Sequence, residues 1–357
     1  MLDQSEQSLL VTGGSGFIGQ HLVSRLLKLG HRVVVVDNHS TSQPLTPKEG
    51  LTVIDTDLSN LDIHDLPPLS GIFHLASIAA PRLFLSDPMK VIRPNVHGTE
   101  LLLALSMENG CRLLYTSSSE AYGNAGRADL NRSMREEHPA THLLLSDKSP
   151  YSAAKIIGEE LLRAAHSLGQ DVAALRLFNV YGPHMDPTLQ GRGRVIPNFH
   201  RALINNLPVP LEGDGNQSRT FTWIEDVVEA LVALMFHRSP LPLVMNLGSE
   251  ETVSILELAQ TMARVLEVEP TYEFHQRLSG DPDWRRPDCT LLREVIGWAP
   301  STSLETGLRM LLMEEETWTG GRQCRTTQQF RNEDFFSKFT HGFPSLKLLR
   351  RVTTICA

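Results

Sequence analysis

The segment Thr12-Gly13-Gly14-Ser15-Gly16-Phe17-Ile18-Gly19 restricts the folding of this chain more than any other. It separates a short apolar run, Leu9-Leu10-Val11, from a stretch (Phe17 to Leu29) whose apolar residues recur with helical spacing. Gly13, Gly16 and Gly19 therefore give G-x-x-G-x-x-G at a strand–turn–helix junction. The turn must be tight, a pyrophosphate must approach the backbone, and the helix must pack close to the strand; each demand excludes a Cβ. The helix N-terminus then presents free N–H groups and a positive dipole end to phosphate. A β-branched run, Val33 to Val36, follows, and Asp37 closes it about 20 residues past the last glycine. A carboxylate there accepts hydrogen bonds from a ribose diol and repels a 2′-phosphate. The pattern predicts a dinucleotide site that prefers NAD to NADP.

Further strands are predicted at Leu51 to Ile54, Gly71 to Leu75, Arg112 to Tyr115 and Val172 to Leu177, with helices at Val91 to Glu108 and Ser152 to Leu168. This alternation implies an α/β fold, a Rossmann-type doubly wound parallel sheet over residues 1–178. Beyond Phe178 the pattern loosens. A proline- and glycine-rich loop from Gly182 to Gly193 precedes a helix from Val195 to Asn206 and a turn at Gly213-Asp214-Gly215-Asn216. Two amphipathic stretches, Ile224 to Phe236 and Val253 to Leu266, flank the strand-like Leu243 to Leu247. These are expected to form a smaller α/β domain over 179–318, with some later segments returning to the first domain. It would cover the sheet's carboxyl edge, where open α/β sheets bind ligands.

A chain of 357 residues accommodates two such domains, and 41% hydrophobic with 21% charged residues is globular composition. The 33 basic residues are outnumbered by 41 acidic ones, so no general nucleic-acid binder is indicated. Cys111, Cys289, Cys324 and Cys356 lack the spacing of a disulfide framework or a zinc site, and no metal is expected. An acidic N-terminus and the lack of a long apolar run argue against a signal peptide or a membrane span. A cytoplasmic protein is expected.

Tyr151-Ser152-Ala153-Ala154-Lys155 puts a phenol and an ammonium on one face of a helix. The lysine's charge is expected to lower the phenol's pKa and make Tyr151 a base near neutrality. The pair opens the helix after the fifth strand, which ends in Thr116-Ser117-Ser118-Ser119-Glu120.

With these residues the chain resembles an extended short-chain dehydrogenase/reductase of the NAD-dependent nucleotide-sugar epimerase/dehydratase family over roughly residues 8 to 317. The likeness rests on the 12–19 motif, Asp37, Asp57-Leu58, His74-Leu75-Ala76-Ser77, Ser118, Tyr151/Lys155 and Asn179-Val180-Tyr181-Gly182-Pro183. The second half is most similar to UDP-glucuronate decarboxylases, through Gly193-Arg194-Val195-Ile196-Pro197-Asn198-Phe199, Gly213 to Phe221, Asn246-Leu247-Gly248 and Asp281 to Asp288. The resemblance implies NAD held by Gly13, Gly16, Phe17, Ile18, Gly19, Asp37, Asn38, Asp57, Leu58, Leu75, Ala76, Ser77, Tyr151 and Lys155. It implies a nucleotide-diphosphate sugar met by Arg93, Asn179, Arg194, Asn198, Gln217, Arg219 and Arg285, and a homodimer formed through the helices at Val91 to Glu108 and Ser152 to Leu168.

It also implies a shared first step. Tyr151 takes the C4 hydroxyl proton while NAD⁺ accepts the C4 hydride, and Ser118 steadies the C4 oxygen. A C6 carboxylate then leaves as CO₂ from a β-keto acid, giving UDP-xylose once the hydride returns. With a C6 hydroxyl, Glu120 could instead remove the C5 proton and water would leave, a 4,6-dehydratase. A non-enzymatic alternative is an NAD-sensing regulator on the same fold, disfavoured by the intact Ser118, Glu120, Tyr151 and Lys155. Two departures from the decarboxylase pattern stand out: Ala80-Pro81-Arg82-Leu83-Phe84, with Phe84 replacing a tyrosine, and Lys148 in place of an arginine. Arg82 is equally readable as a contact for a carboxylate or diphosphate and as an exposed charge. The family pattern ends near Trp318. Residues 319–357 are basic and rich in phenylalanine, readable as a poorly ordered extension or as a docking segment.

Overall fold

The computed structural model describes residues 7–79, 84, 86–123, 133–138, 149–185, 194–277 and 281–313. Arg82, Lys148, Gly193 and the 319–357 tail lie outside these residues. In chain order the first elements are β1 (Ser8–Thr12), α1 (Phe17–Lys28), β2 (Arg32–Asp37), β3 (Leu51–Asp55), β4 (Leu69–His74), α2 (Pro88–Asn109), β5 (Arg112–Ser118), α3 (Ser149–Ser167) and β6 (Val172–Leu177). Then come β7 (Val180–Tyr181), α4 (Val195–Ile204), β8 (Val209–Glu212), β9 (Ser218–Thr220), β10 (Thr222–Trp223) and α5 (Ile224–Met235). The last are β11 (Val244–Leu247), β12 (Thr252–Ser254), α6 (Ile255–Val265), β13 (Tyr272–His275), α7 (Thr290–Ile296) and α8 (Leu304–Met313).

Among the described residues seven strands form one parallel sheet in the order β11-β6-β5-β4-β1-β2-β3. The chain runs outward from β1 to β3 and then crosses to β4. The β1/β4 boundary is therefore the switch point at which such sheets bind dinucleotides. Alternate residues of each strand face opposite layers. Leu9, Val11, Val33, Val35 and Phe73 pack with Leu22, Val23 and Leu26 of α1 on one face. Leu10, Val34, Val36 and Ile72 pack with Leu102 and Leu105 of α2 and Leu162 of α3 on the other. Both faces are covered, which is why the strands read as unbroken apolar runs.

Two elements of the second half return to the sheet layer. β11 pairs with β6, and Leu231 and Leu234 of α5 join the core that includes α1. The α2 helix starts earlier than its apolar spacing predicted. Asp87 caps it by accepting from Lys90 N–H, with Pro88 in the first turn, and Gly110 ends it at φ +59°. Smaller pairings (β7 with β10, β9 with β12, β8 with β13) build the region beyond the sheet's carboxyl edge.

Candidate active site

The cofactor cradle is set by close backbone contacts at two glycines. Gly13 sits at φ +71°, and a Cβ there would lie 2.7 Å from Ala76 N. At Gly19 a Cβ would lie 2.3 Å from Gly13 O and 2.6 Å from Gly14 Cα. Gly16 caps α1 without a side chain, and the first turn carries no acidic residue, so its N–H groups remain available to a pyrophosphate. Phe17 and Ile18 begin that helix. Asp37 accepts from Ser15 N–H at 2.9 Å through one oxygen, and from His39 N–H at 2.8 Å and Ser42 Oγ at 3.3 Å through the other. Asp57 is held below the usual carboxylate range chiefly by the Ser59 amide, and it accepts from Asn38 Nδ2 at 2.7 Å. Leu58 is buried behind it. Leu75 N–H is tied to Thr12 O, and Ser77 Oγ accepts from Asn95 Nδ2 at 3.0 Å. The residues from Gly13 to Ser77 expected for NAD from sequence thus follow the ends of β1, β2, β3 and β4, while Tyr151 and Lys155 lie on α3.

The ends of β5 and α3 bring the proton-transfer groups together. Tyr151 is hydrogen-bonded to Ser118, whose Oγ also accepts from Glu120 N–H at 3.2 Å. Lys155 Nζ donates to Thr116 O at 2.7 Å and lies 5.7 Å from the centre of the Tyr151 ring. This corrects the expectation of a near-neutral phenol. Burial pushes Tyr151 up to about 12, against the lowering influence of Ser118 and of Arg194. Desolvation outweighs the nearby groups because the phenolate, unlike the phenol, needs water or dense donors. Lys155 is itself brought down to about 7 by burial, with Glu159 acting in the other direction. A cation that does lower Tyr151 is Arg194, the residue leading into α4 in the second half of the chain.

Phe84 stacks on Tyr151, with ring centres 5.0 Å apart and planes 8° from parallel, and Ile78 and Val91 complete the apolar wall. Arg285 is buried, with Nη1 2.8 Å from Glu120 Oε1 and Nη2 donating to Gly123 O at 3.1 Å. Its Nε is buried without a hydrogen-bond partner among the described residues. Arg219 Nη2 meets Asp281 Oδ2 at 2.7 Å. Arg285 and Glu120 are both among the charges acting on Arg219, which burial pulls down. Asn179 adopts φ +35° and donates through Nδ2 to Thr220 O at 2.8 Å.

Gln217 donates through Nε2 to Glu212 O at 3.0 Å and leaves its buried Oε1 without a partner among the described residues, and Arg93 acts on Asp57 and Asp87. Asn198 lies one helical turn after Arg194 in α4. Sequence reasoning passed over Thr116, Glu159 and Arg176. Glu159 carried a usable signal, since it continues the Tyr151, Lys155 spacing by one more turn and is buried.

Residues 9–248 match the family described as the NAD dependent epimerase/dehydratase family. The chain belongs to that family. It is 35% identical over 313 residues to a protein named UDP-glucuronic acid decarboxylase 1 from Arabidopsis thaliana, covering 86% of this chain and 69% of the relative. The fold is similar to MoeE5 in complex with UDP-glucuronic acid and NAD: TM-score 0.75, 32% identity, 86% of this chain and 98% of that one. It is also similar to TunA, described as an NAD-dependent NDP-hexosamine 5,6-dehydratase of tunicamycin biosynthesis: TM-score 0.75, 30% identity, 86% and 97% coverage. The protein is accordingly an NAD-dependent enzyme that modifies nucleotide sugars.

Proposed function

We propose that this enzyme decarboxylates UDP-glucuronate to UDP-xylose through a 4-keto sugar. The observation that carries the reading is the buried Arg285 paired with the half-buried Glu120 beside Ser118 and Tyr151. A guanidinium fork matches a carboxylate bidentately, so Arg285 offers the C6 carboxylate of a glycuronic acid an anchor close to the proton-transfer pair. When bound, NAD supplies the reversible hydride acceptor that makes C4 a ketone. Tyr151 carries the C4 hydroxyl proton and Ser118 holds the C4 oxygen. With the ketone in place the sugar is a β-keto acid: the C5–C6 bond breaks, CO₂ departs, and C5 takes up a proton before the hydride returns. Arg219 and Asn179 are proposed to meet the diphosphate and the nucleotide. In this division of labour residues 1–178 hold the cofactor and supply Ser118, Glu120 and Tyr151 to the reacting sugar, and 179–318 hold the rest of the sugar nucleotide.

A second reading is favoured by the likeness to TunA and by Glu120 itself: a dehydratase in which Glu120 removes the C5 proton and water leaves from C6. Mass spectrometry of purified enzyme with UDP-glucuronate separates the two. Loss of CO₂ is expected; no turnover, with water lost from UDP- or dTDP-hexoses instead, refutes decarboxylation. A cytoplasmic homodimer is proposed with this reading. Met107 on α2 and Ile157 on α3 are exposed apolar residues on the two helices concerned, and light scattering after size exclusion tests the dimer.

A further inference from the structure

Asn246 belongs to a motif that neither cofactor nor substrate explains, and it is fully buried in β11. Its Oδ1 accepts from Tyr122 OH at 2.8 Å, and its Nδ2 donates to Met134 O at 2.8 Å and Asp288 O at 3.1 Å. Because both Nδ2 partners are carbonyls, the amide has one possible orientation. Its backbone N–H donates to Glu136 Oε1 at 2.8 Å. Tyr122 ends the short 3-10 turn Ser119–Tyr122 that carries Glu120. Asp288 lies just past Arg285, and Met134 is bridged to Pro287 through Met134 N–H to Arg286 O (2.7 Å) and Asp288 N–H to Met134 O (2.8 Å). One amide therefore ties down the segments bearing both members of the Glu120–Arg285 pair.

The strand register extends the connection. Asn246 is level with Arg176 of β6, and Arg176 with Ser117 of β5. Arg176 forks onto Glu159 at 2.9 and 2.7 Å, Ser117 Oγ donates to the same carboxylate, and the guanidinium lies 4.4 Å from the Tyr122 ring centre. Glu159 sits on α3, the helix of Tyr151 and Lys155. A buried ion pair here is costly to desolvate, and apolar residues of similar volume would generally hold a sheet as well. What the polar row adds is directional bonding to every segment that carries a reacting side chain.

We infer that Asn246, through Tyr122 and Asp288, is the positioning residue that registers the Glu120–Arg285 pair against the Tyr151–Lys155 pair. The inference rests on the reading that the Glu120–Arg285 pair serves the step at C5 and C6 that follows C4 oxidation, as the carboxylate anchor in decarboxylation or as the C5 base in dehydration. Displacements of about 1 Å in such groups cost about a hundredfold in rate.

The test compares wild type with Tyr122→Phe, which deletes one oxygen, and with Asn246→Ala. Oxidation at C4 is followed by the transient absorbance of reduced nicotinamide, and the later step by CO₂ release. Both variants are expected to keep NAD affinity and the rate of C4 oxidation within about twofold, while CO₂ release falls about tenfold to a hundredfold. Asn246→Ala, which leaves Met134 O and Asp288 O buried without their donor, is also expected to melt at a lower temperature than Tyr122→Phe. Equal losses in both steps, or no loss in either, overturn the inference; if Asn246→Ala does not fold, Tyr122→Phe alone decides. Failure of wild type to release CO₂ from UDP-glucuronate refutes the functional reading separately, and the same split is then read on water loss from dTDP-glucose.

Discussion

Replacing Lys155 with methionine tests whether the buried ammonium is as desolvated as its surroundings imply. Burial brings Lys155 from 10.5 down to about 7, while in the unfolded chain it returns to its ordinary value. Between those limits the unfolded state binds the extra proton, so native stability rises with pH across the window and is lost as pH falls towards 7. The full window corresponds to about 5 kcal/mol, of which about 2 kcal/mol falls between pH 7 and pH 9. Lys155→Met keeps the stem but leaves Thr116 O without its donor, a cost of about 1–3 kcal/mol at either pH that cancels in the difference. Other titrating groups, such as the buried Cys111 and Cys289, cancel in the same way. Urea unfolding at both pH values should therefore show wild type gaining about 2 kcal/mol more than the variant on going to pH 9. Parallel responses would refute the reasoning. The same variant is expected to bind NAD and lose turnover; substantial remaining activity contradicts the assignment of Tyr151 and Lys155.

Gly19→Ala sets a helix-propensity gain of about 1 kcal/mol against overpacking of about 1–3 kcal/mol, because the new methyl meets Gly13 O at 2.3 Å. The clash wins, and calorimetric NAD affinity should fall about tenfold or more; an unchanged Kd contradicts the cradle. Asp37→Ala strips the acceptor from Ser15 N–H, His39 N–H and Ser42 Oγ. NAD affinity is expected to drop about ten- to a hundredfold while the preference over NADP narrows, as paired Kd measurements would show. Phe84→Ala admits water to the stacked face of Tyr151, so its phenol should fall from about 12 towards its ordinary 10. Ultraviolet titration against the Phe84→Ala/Tyr151→Phe double variant measures this, and no shift would mean the stack does not shield the phenol.

What was legible in the sequence is what is local in the chain. Gly19 and Gly13 obstruct one another within a single turn, Asp37 ends the very next strand, and Tyr151 and Lys155 are one helical turn apart, so spacing alone carries their geometry. Alternating apolar runs likewise disclosed the parallel sheet, because burial on both faces makes strands such as β1 and β2 almost wholly apolar. The rest depends on partners brought together by strand order. Lys155 meets the carbonyl of Thr116, 39 residues away, and Arg219 meets Asp281, 62 residues away; neither pairing leaves a trace in its own neighbourhood. The pKa of Tyr151 is the sharpest case. From spacing, an ammonium four residues on should acidify the phenol, yet Lys155 is anchored to β5, the ring is enclosed by Phe84, Ile78 and Val91, and burial prevails. The positive influence that does reach the phenol comes from Arg194, beyond the sheet altogether. The acidity of this tyrosine is therefore set by the enclosed site, assembled from both halves of the chain. A helix carrying Tyr151 and Lys155 alone would not reproduce it.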